Sequence, residues 1–166
     1  MTDQNPYKTP TAVVQDQPQA HALAGRGARL GAAMIDGIIG MVVALPFIYQ
    51  MGIFDYLKQA QKIPFSLTLI SSAFGFVMFL LIHGYFLKKN GQTVGKKIVG
   101  LRISDLQDGV PGFGRLIGLR YLPISLVSLI PVLGQILPLV DILFIFRADR
   151  RCVHDLLAGT KVIDLA

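Results

Sequence analysis

Two long apolar runs dominate the pattern of hydrophobic and polar positions along the chain. The first extends from Leu30 to Tyr49 with Asp36 as its only charge, and the second extends from Phe65 to Leu87, interrupted only by His83. A helix rises about 1.5 Å per residue, so each run covers the roughly 30 Å hydrocarbon layer of a bilayer. The pattern therefore predicts two transmembrane helices, over about residues 29–49 and 65–87.

A third apolar stretch, over about residues 116–146, is broken by Pro123, Pro131 and Pro138. An interior proline removes a backbone hydrogen bond and clashes with the preceding turn, so one uninterrupted helix is not expected. Broken helices are tolerated at membrane depth where protein or water satisfies the freed backbone groups. Two interpretations fit this stretch: a re-entrant hairpin that turns near residues 131–134, or a third span.

The distribution of basic residues favours the hairpin. Of the sixteen Lys and Arg residues, three precede the first run, two lie in 50–64, seven lie in 88–120 and four follow residue 146. Cytoplasmic loops collect Lys and Arg. Two spans with the amino end inside keep the seven-charge loop inside, whereas a third crossing would export the last four. We expect a multi-pass protein of the bacterial inner membrane with both termini in the cytoplasm.

The remaining segments are polar or mixed. Residues 1–25 lack periodicity and predict a disordered tail, which leaves 26–166 as a single membrane domain. The loop after the second span is predicted to be amphipathic and cytoplasmic. The fold class we predict is thus all-α, an integral membrane protein. We further hypothesise that two short β-branched segments, Val99–Ser104 and Thr160–Asp164, pair as a small sheet.

Composition agrees with lipid as the solvent. Charged residues make up 16% of the chain, whereas soluble domains carry about a quarter. The net charge of +6 reflects basic residues that flank apolar runs, and no nucleic-acid-binding pattern accompanies it. The lone Cys152 excludes an intramolecular disulfide, and the scattered histidines predict no metal site.

Ionisable residues within the apolar runs are the strongest functional signal. An Asp at a helix centre costs about 2.5–3.5 kcal/mol on insertion scales. Arg29 lies on the same helix face as Asp36 but points away from it, so each needs a partner from another segment. We expect that partner to be His83, Arg115 or Arg120 for Asp36, and Asp141 or Asp155 for Arg29. A packing clamp and an ion or substrate site both fit this pattern.

Motifs of enzymes are absent from the sequence. The glycine-rich stretch from Gly91 to Lys97 has three residues between its glycines, where a P-loop has four. His154 and Asp155 resemble part of a catalytic pair, but no nucleophile signature accompanies them, so a tertiary clamp is favoured. We therefore predict neither an enzyme nor a cofactor.

Three segments resemble the RDD family of membrane proteins, named for an arginine and two aspartates. They are RLGAAMID from Arg29 to Asp36, GQTVGKKIVGLR from Gly91 to Arg102, and RRCVHDLLAGT from Arg150 to Thr160. The resemblance assigns the arginine to Arg29, the first aspartate to Asp36 and the second to either Asp141 or Asp155. It implies a membrane role and transport of an unidentified ligand, with cation/proton exchange for some members.

The functional prediction is a small transporter in which Asp36 binds a proton or monovalent cation; the alternative is an accessory or scaffold subunit. Candidate binding residues are Arg29, Asp36, Asp141 and Asp155, with His83, Arg120 and His154 in support. Small residues recur four positions apart, at Gly27/Gly31, Ala33/Gly37 and Ser71/Gly75. Such faces let helices approach closely in lipid, so we expect a homo-oligomer.

Overall fold

The fold is described from a computed structural model that covers residues 21–130 and 133–165. Two long helices, α1 (Arg26–Gln50) and α3 (Phe65–Asn90), form an antiparallel pair joined by a loop that contains α2 (Ile53–Lys58). Phe47 and Phe74 stack between the long helices, with ring centroids 3.8 Å apart. Both long helices are long and apolar enough to cross a membrane, as the hydrophobic pattern predicts.

The chain turns sharply after α3 and runs back against α1. Gly91 ends the helix in a left-handed conformation, with φ of 66°, which glycine adopts at no steric cost. The short helix α4 (Val94–Val99) follows, and the Thr93 hydroxyl caps it by accepting a hydrogen bond from the Lys96 N–H. This part of the predicted amphipathic loop is therefore ordered and packs on α1.

A two-stranded antiparallel sheet links the loop to the end of the chain. Strand β1 (Leu101–Asp105) pairs with β2 (Thr160–Asp164), in a register that places Leu101 opposite Asp164. The hypothesised pairing of these segments is confirmed, and an all-α class is too narrow. Leu23, within the stretch predicted to be a disordered tail, bridges to Ile163 in the same sheet. Residues 1–20 of that stretch lie outside the described part of the chain.

The proline-containing stretch forms a helical hairpin. Its first arm is a continuous helical segment composed of α5 (Phe113–Arg115), a π-helical turn (Leu116–Tyr121) and α6 (Leu122–Val127). Its second arm is α7 (Leu133–Leu143) followed by a 3₁₀ turn (Phe144–Phe146). The chain then forms α8 (Val153–Leu157) and β2. Each arm is shorter than α1 or α3, and residues 131 and 132 of the predicted turn lie outside the described ranges.

Both described ends of the chain lie at the same end of the helix pair. The Ala24 N–H, just before α1, donates to the Val162 carbonyl in β2 at 3.0 Å. The hairpin therefore returns to the end of the helix pair from which it departs.

A buried hydrophobic cluster lies at that end of the molecule. It is built from small and aliphatic side chains of α1 and the segment just before it, α3, the sheet and the π-helical turn: Ala24, Ala32, Leu87, Leu101, Ile103, Leu116 and Val162. Farther along α1 and α3, large apolar side chains such as Met41, Val42 and Val77 are more than half exposed. Exposed apolar surface of this extent is typical of helices that face lipid.

Candidate functional site

Asp155 lies between two arginines in the most buried part of the molecule. Its side chain is fully buried, and it accepts hydrogen bonds from Arg29 Nη2 at 2.6 Å and from Arg120 Nη1. The Cys152 N–H donates to the same carboxylate at 3.1 Å, and the Thr160 hydroxyl donates at 3.3 Å. Three distant parts of the sequence, α1, the π-helical turn and the α8–β2 segment, are thereby held together.

The charge of Asp155 is stabilised by this surrounding. Burial by itself would raise the pKa of Asp155, but the positive charges of Arg120 and Arg29 outweigh it and hold that pKa below its usual range. Arg29 and Arg120 are themselves buried, and a buried charge needs a partner of this kind. The cluster is therefore an ionised, water-excluded clamp.

Asp36 has a different kind of partner. Its carboxylate accepts a hydrogen bond from the Thr93 hydroxyl at 2.5 Å and from the Gly95 N–H at 2.7 Å. These donors sit at the amino end of α4, so Asp36 caps that helix from across the interface with α1. A Cβ on Gly95 would lie 2.9 Å from the Asp36 carboxyl carbon, which explains why glycine is needed at this close approach.

His83 lies beside Asp36 on the neighbouring helix. Its Nδ1 is 3.8 Å from Asp36 Oδ1, and it accepts a hydrogen bond from the Val94 N–H at 3.2 Å. Because Nδ1 acts as an acceptor, the imidazole is neutral in this arrangement, with its proton on Nε2. The two side chains are therefore close neighbours, but with a neutral imidazole they do not form an ion pair.

Asp141 pairs with His154 rather than with Arg29. The Asp141 carboxylate lies 2.6 Å from His154 Nδ1 and accepts the His154 N–H at 3.0 Å. Burial, with help from the charge of Arg120, lowers the pKa of His154, so the neutral ring donates from Nδ1. Asp141 thus fastens α8 to α7.

A metal ion does not suit this corner, although Asp141, Cys152 and His154 bring their ligand atoms within 4.8 Å of one another. Metal binding needs the Cys152 thiolate, and burial raises the pKa of this thiol to about 11. The Cys152 sulfur also accepts a hydrogen bond from Arg29 at 3.4 Å. The thiol therefore stays protonated and is held by Arg29, so it is not available as a metal ligand.

The expected partners are thus correct in part. Arg29 pairs with Asp155, one of its two candidates, and His83 is the candidate that lies nearest to Asp36. Two other candidates for Asp36 were wrong: Arg120 binds Asp155, and Arg115 donates to the Ala158 carbonyl at 2.6 Å. The structure therefore separates the candidate residues into two sites that meet at α1.

Thr93, Gly95 and Lys96 are among the site residues that were not singled out from the sequence. A Thr just before a short helical segment is a recognisable N-cap signal, which could have identified the donors to Asp36. Lys96, counted only as one of seven loop cations, is half-buried, and its ordinary pKa of 10.5 falls to about 8, first through burial and then through the charge of Arg120.

A cavity of about 160 Å³ adjoins Asp36 and His83 between α1 and α3. Its remaining walls are apolar or small residues that extend away from the core: Gly40, Val43, Ala44, Phe74, Gly75, Met78, Phe79 and Ile82. The volume has room for several water molecules or a small ion but is below the size of most organic-ligand pockets. The cavity thus joins one carboxylate to the space between the two long helices.

Comparison with known proteins identifies the family. Residues 23–159 match the sequence profile of the RDD family, a range that includes Arg29, Asp36, both hairpin arms and Asp155. The chain belongs to the RDD family. The chain is also 30% identical over 150 residues to an uncharacterized protein of Haemophilus influenzae, an alignment that covers 89% of this chain and 81% of that protein. No solved structure matches it.

The family assignment confirms the resemblance drawn from the three sequence segments, and the two long apolar helices indicate a membrane-type protein. Within this RDD chain, Arg29 and Asp36 face separate sites. Arg29 belongs to the closed clamp around Asp155, whereas Asp36 borders a cavity.

Proposed function

We propose that this RDD protein exchanges a proton for a monovalent cation across a membrane, with Asp36 as the binding carboxylate. The observation that carries the proposal is the cavity between the two long helices, in which Asp36 and His83 are the only ionisable members among ten lining residues. Proton and cation compete for one carboxylate: the ionised form binds the cation and the protonated form releases it. That competition is the minimal chemistry of exchange.

His83 is suited to assist this competition. A proton that binds at Nδ1 displaces the Val94 N–H from that atom, because a protonated nitrogen can only donate. The resulting imidazolium then lies 3.8 Å from Asp36 Oδ1 and would close into an ion pair. Protonation of His83 would thereby occupy Asp36 in place of the cation.

The position of Asp36 supports a role beyond packing. Within residues 21–130 and 133–165, Asp36 makes no hydrogen bond or ion pair with an arginine; its hydrogen-bond donors are the Thr93 hydroxyl and the Gly95 N–H. A carboxylate held by neutral donors can release and rebind a cation without leaving a buried arginine uncompensated.

The test is Asp36→Asn, studied in detergent and in liposomes made from the same preparation. The amide oxygen can still accept the Gly95 N–H, so we expect a loss of no more than about 1–2 kcal/mol of stability. Cation-dependent proton flux, read with a pH-sensitive dye inside the vesicles, should disappear. The control is Asp55→Asn, because the Asp55 carboxylate is 68% exposed in α2, and this variant should transport like wild type.

The alternative function is a scaffold subunit, and the hydrogen bonds that Asp155 accepts from Arg29, Arg120, Cys152 and Thr160 favour it. If wild-type vesicles show no cation-dependent flux, or if Asp36→Asn transports as well as wild type, the exchange proposal is wrong. A scaffold would still need the clamp, so its stability would depend on Asp155 and not on Asp36.

We further propose the orientation and assembly of the protein. Both ends of the RDD domain lie on the cytoplasmic side, since they share the end of the helix pair that carries the basic loop. A reporter fused after residue 166 that is active only outside the membrane should give no signal.

Several copies of the chain would enclose a transport path better than one copy. The open space around Gly31 and Gly37 leaves helix faces free for self-association. Light scattering on the transport preparation measures the copy number.

A further inference from the structure

A second and larger cavity, of about 420 Å³, lies beside the start of α1 on the side of Arg29. Four cations line it, Arg26, Arg29, Lys96 and Arg120, against a single carboxylate, that of Asp141. It shares no lining residue with the cavity at Asp36. The excess of positive charge over negative charge distinguishes this cavity from the other described ones and makes its interior attractive to an anion.

The charges of this cavity are not equally satisfied. Arg29 and Arg120 share Asp155, and Arg26 donates to the Ile145 carbonyl at 3.2 Å. Asp141 is already bound to His154. The Lys96 ammonium, by contrast, makes no hydrogen bond or ion pair with any residue in the described ranges 21–130 and 133–165.

The pKa of Lys96 is affected by groups on several elements. Burial has the largest effect and lowers the pKa, and the positive charges of Arg120 and Arg29 lower it further. The carboxylates of Asp36 and Asp155 raise it, although neither contacts the ammonium. A half-buried cation with no contacting anion gains free energy when one is supplied. Lys96 is therefore the group from which an anion in this cavity would gain most.

The mouth of the cavity is apolar. Leu30, Ile142 and Phe146 line it, and each is at least half exposed on the outside of the molecule. A ligand with a negative head and hydrocarbon chains would match both parts, since its head contacts the cations and its chains lie along the exposed apolar side chains. Basic pockets beside membrane helices bind the head groups of anionic lipids in this way.

We propose that this cavity binds a phosphate-type anion, with Lys96 as its principal ligand and Arg29 and Arg120 beside it. A phosphodiester of an anionic phospholipid and a free phosphate share this chemistry. The apolar mouth favours the lipid. The site does not depend on transport, and it would hold whether or not Asp36 exchanges ions.

The experiment measures binding to the purified full-length chain in a neutral detergent. Native mass spectrometry counts bound lipid as phosphatidylglycerol or phosphatidylcholine is added, and a separate series adds inorganic phosphate. We expect phosphatidylglycerol to bind more tightly than phosphatidylcholine. Lys96→Gln should weaken phosphatidylglycerol binding by about tenfold or more, the effect of losing one charged hydrogen bond.

The matched control is Lys97→Gln, the same charge change in the next residue of α4. Lys97 is exposed and lies over the Phe86 ring, 4.2 Å from its centroid, so its loss should alter binding less than about twofold, as expected for an exposed charge. Lys96→Arg keeps the cation and should keep the preference for phosphatidylglycerol.

Each outcome decides the proposal. Binding of inorganic phosphate that depends on Lys96, without a lipid preference, supports the anion site and makes free phosphate its source. Equal binding of the two lipids together with no phosphate binding excludes the site, and this comparison needs only the wild-type protein. An equal loss in Lys96→Gln and Lys97→Gln would show a general surface-charge effect and would also overturn the proposal.

Discussion

Replacing Asp155 by asparagine removes the carboxylate that contacts both Arg29 and Arg120. The side chains of the two arginines are 7% and 2% exposed, and that of Asp155 is fully buried. Breaking a buried ion pair costs about 3–5 kcal/mol because an uncompensated charge stays in the interior. Two cations depend on one carboxylate here, so we expect a loss at the upper end, about 5 kcal/mol.

The assay is thermal unfolding of the purified chain in detergent. For a chain of this length, 1 kcal/mol corresponds to about 2–4 °C, so Asp155→Asn should lower the midpoint by roughly 10–20 °C. The deficit should be constant between pH 6 and 8. The pKa of Asp155 is held below its usual range, so its contribution is complete above about pH 4 and is lost only as the pH falls through the depressed folded-state value.

The control is Asp149→Asn, which makes the same chemical change in an exposed ion pair. Asp149 lies 3.2 Å from Arg147, and the two side chains are 37% and 51% exposed, so the loss should stay within about 1 kcal/mol. Equal midpoints for the two variants would refute the reasoning, because they would mean that water or another group compensates the buried arginines.

Two further predictions concern α4. The pKa of Lys96 is about 8 in the folded chain instead of 10.5. Between these pH values the unfolded chain binds more protons than the folded chain, so wild-type stability rises with pH. Melting curves at pH 8 and 10 should show this rise in wild type and in Lys97→Gln but not in Lys96→Gln. In Gly95→Ala the new methyl group would overlap the Ala32 carbonyl oxygen, so the melting midpoint should fall by the equivalent of about 1–3 kcal/mol. The control Gly31→Ala has open space around the new methyl group and should leave the midpoint unchanged or raise it. A lower midpoint for Gly31→Ala than for Gly95→Ala would contradict the described packing.

Features with a strong local or energetic signal could be predicted from the sequence. Length and apolar composition identified α1 and α3, and glycines at the ends of two β-branched segments identified the strands that pair. The high cost of an unpaired buried charge limited the partner of Arg29 to Asp141 or Asp155, and the structure selects Asp155, 126 residues away.

The partners of Asp36 could not be predicted by the same reasoning. A positive side chain is the expected partner of a carboxylate in an apolar helix, but the free N–H groups at the start of another helix satisfy it equally well. Which helix approaches depends on how the loop folds back on α1, and that depends on tertiary packing of the sheet. The environment of Lys96 could not be predicted for the same reason. Its charge is evident from the sequence, but its burial near Arg120 depends on the tertiary fold.

The separation along the chain of the clamp residues has a consequence for biosynthesis. Arg29 is synthesised before either long helix is complete, and Asp155 follows it 126 residues later, after both long helices have been made. Until then no part of the clamp can close, and water at the membrane surface must hydrate the arginine. Docking of the hairpin, the sheet and the start of α1 can therefore be completed only after Asp155 and strand β2 have been synthesised.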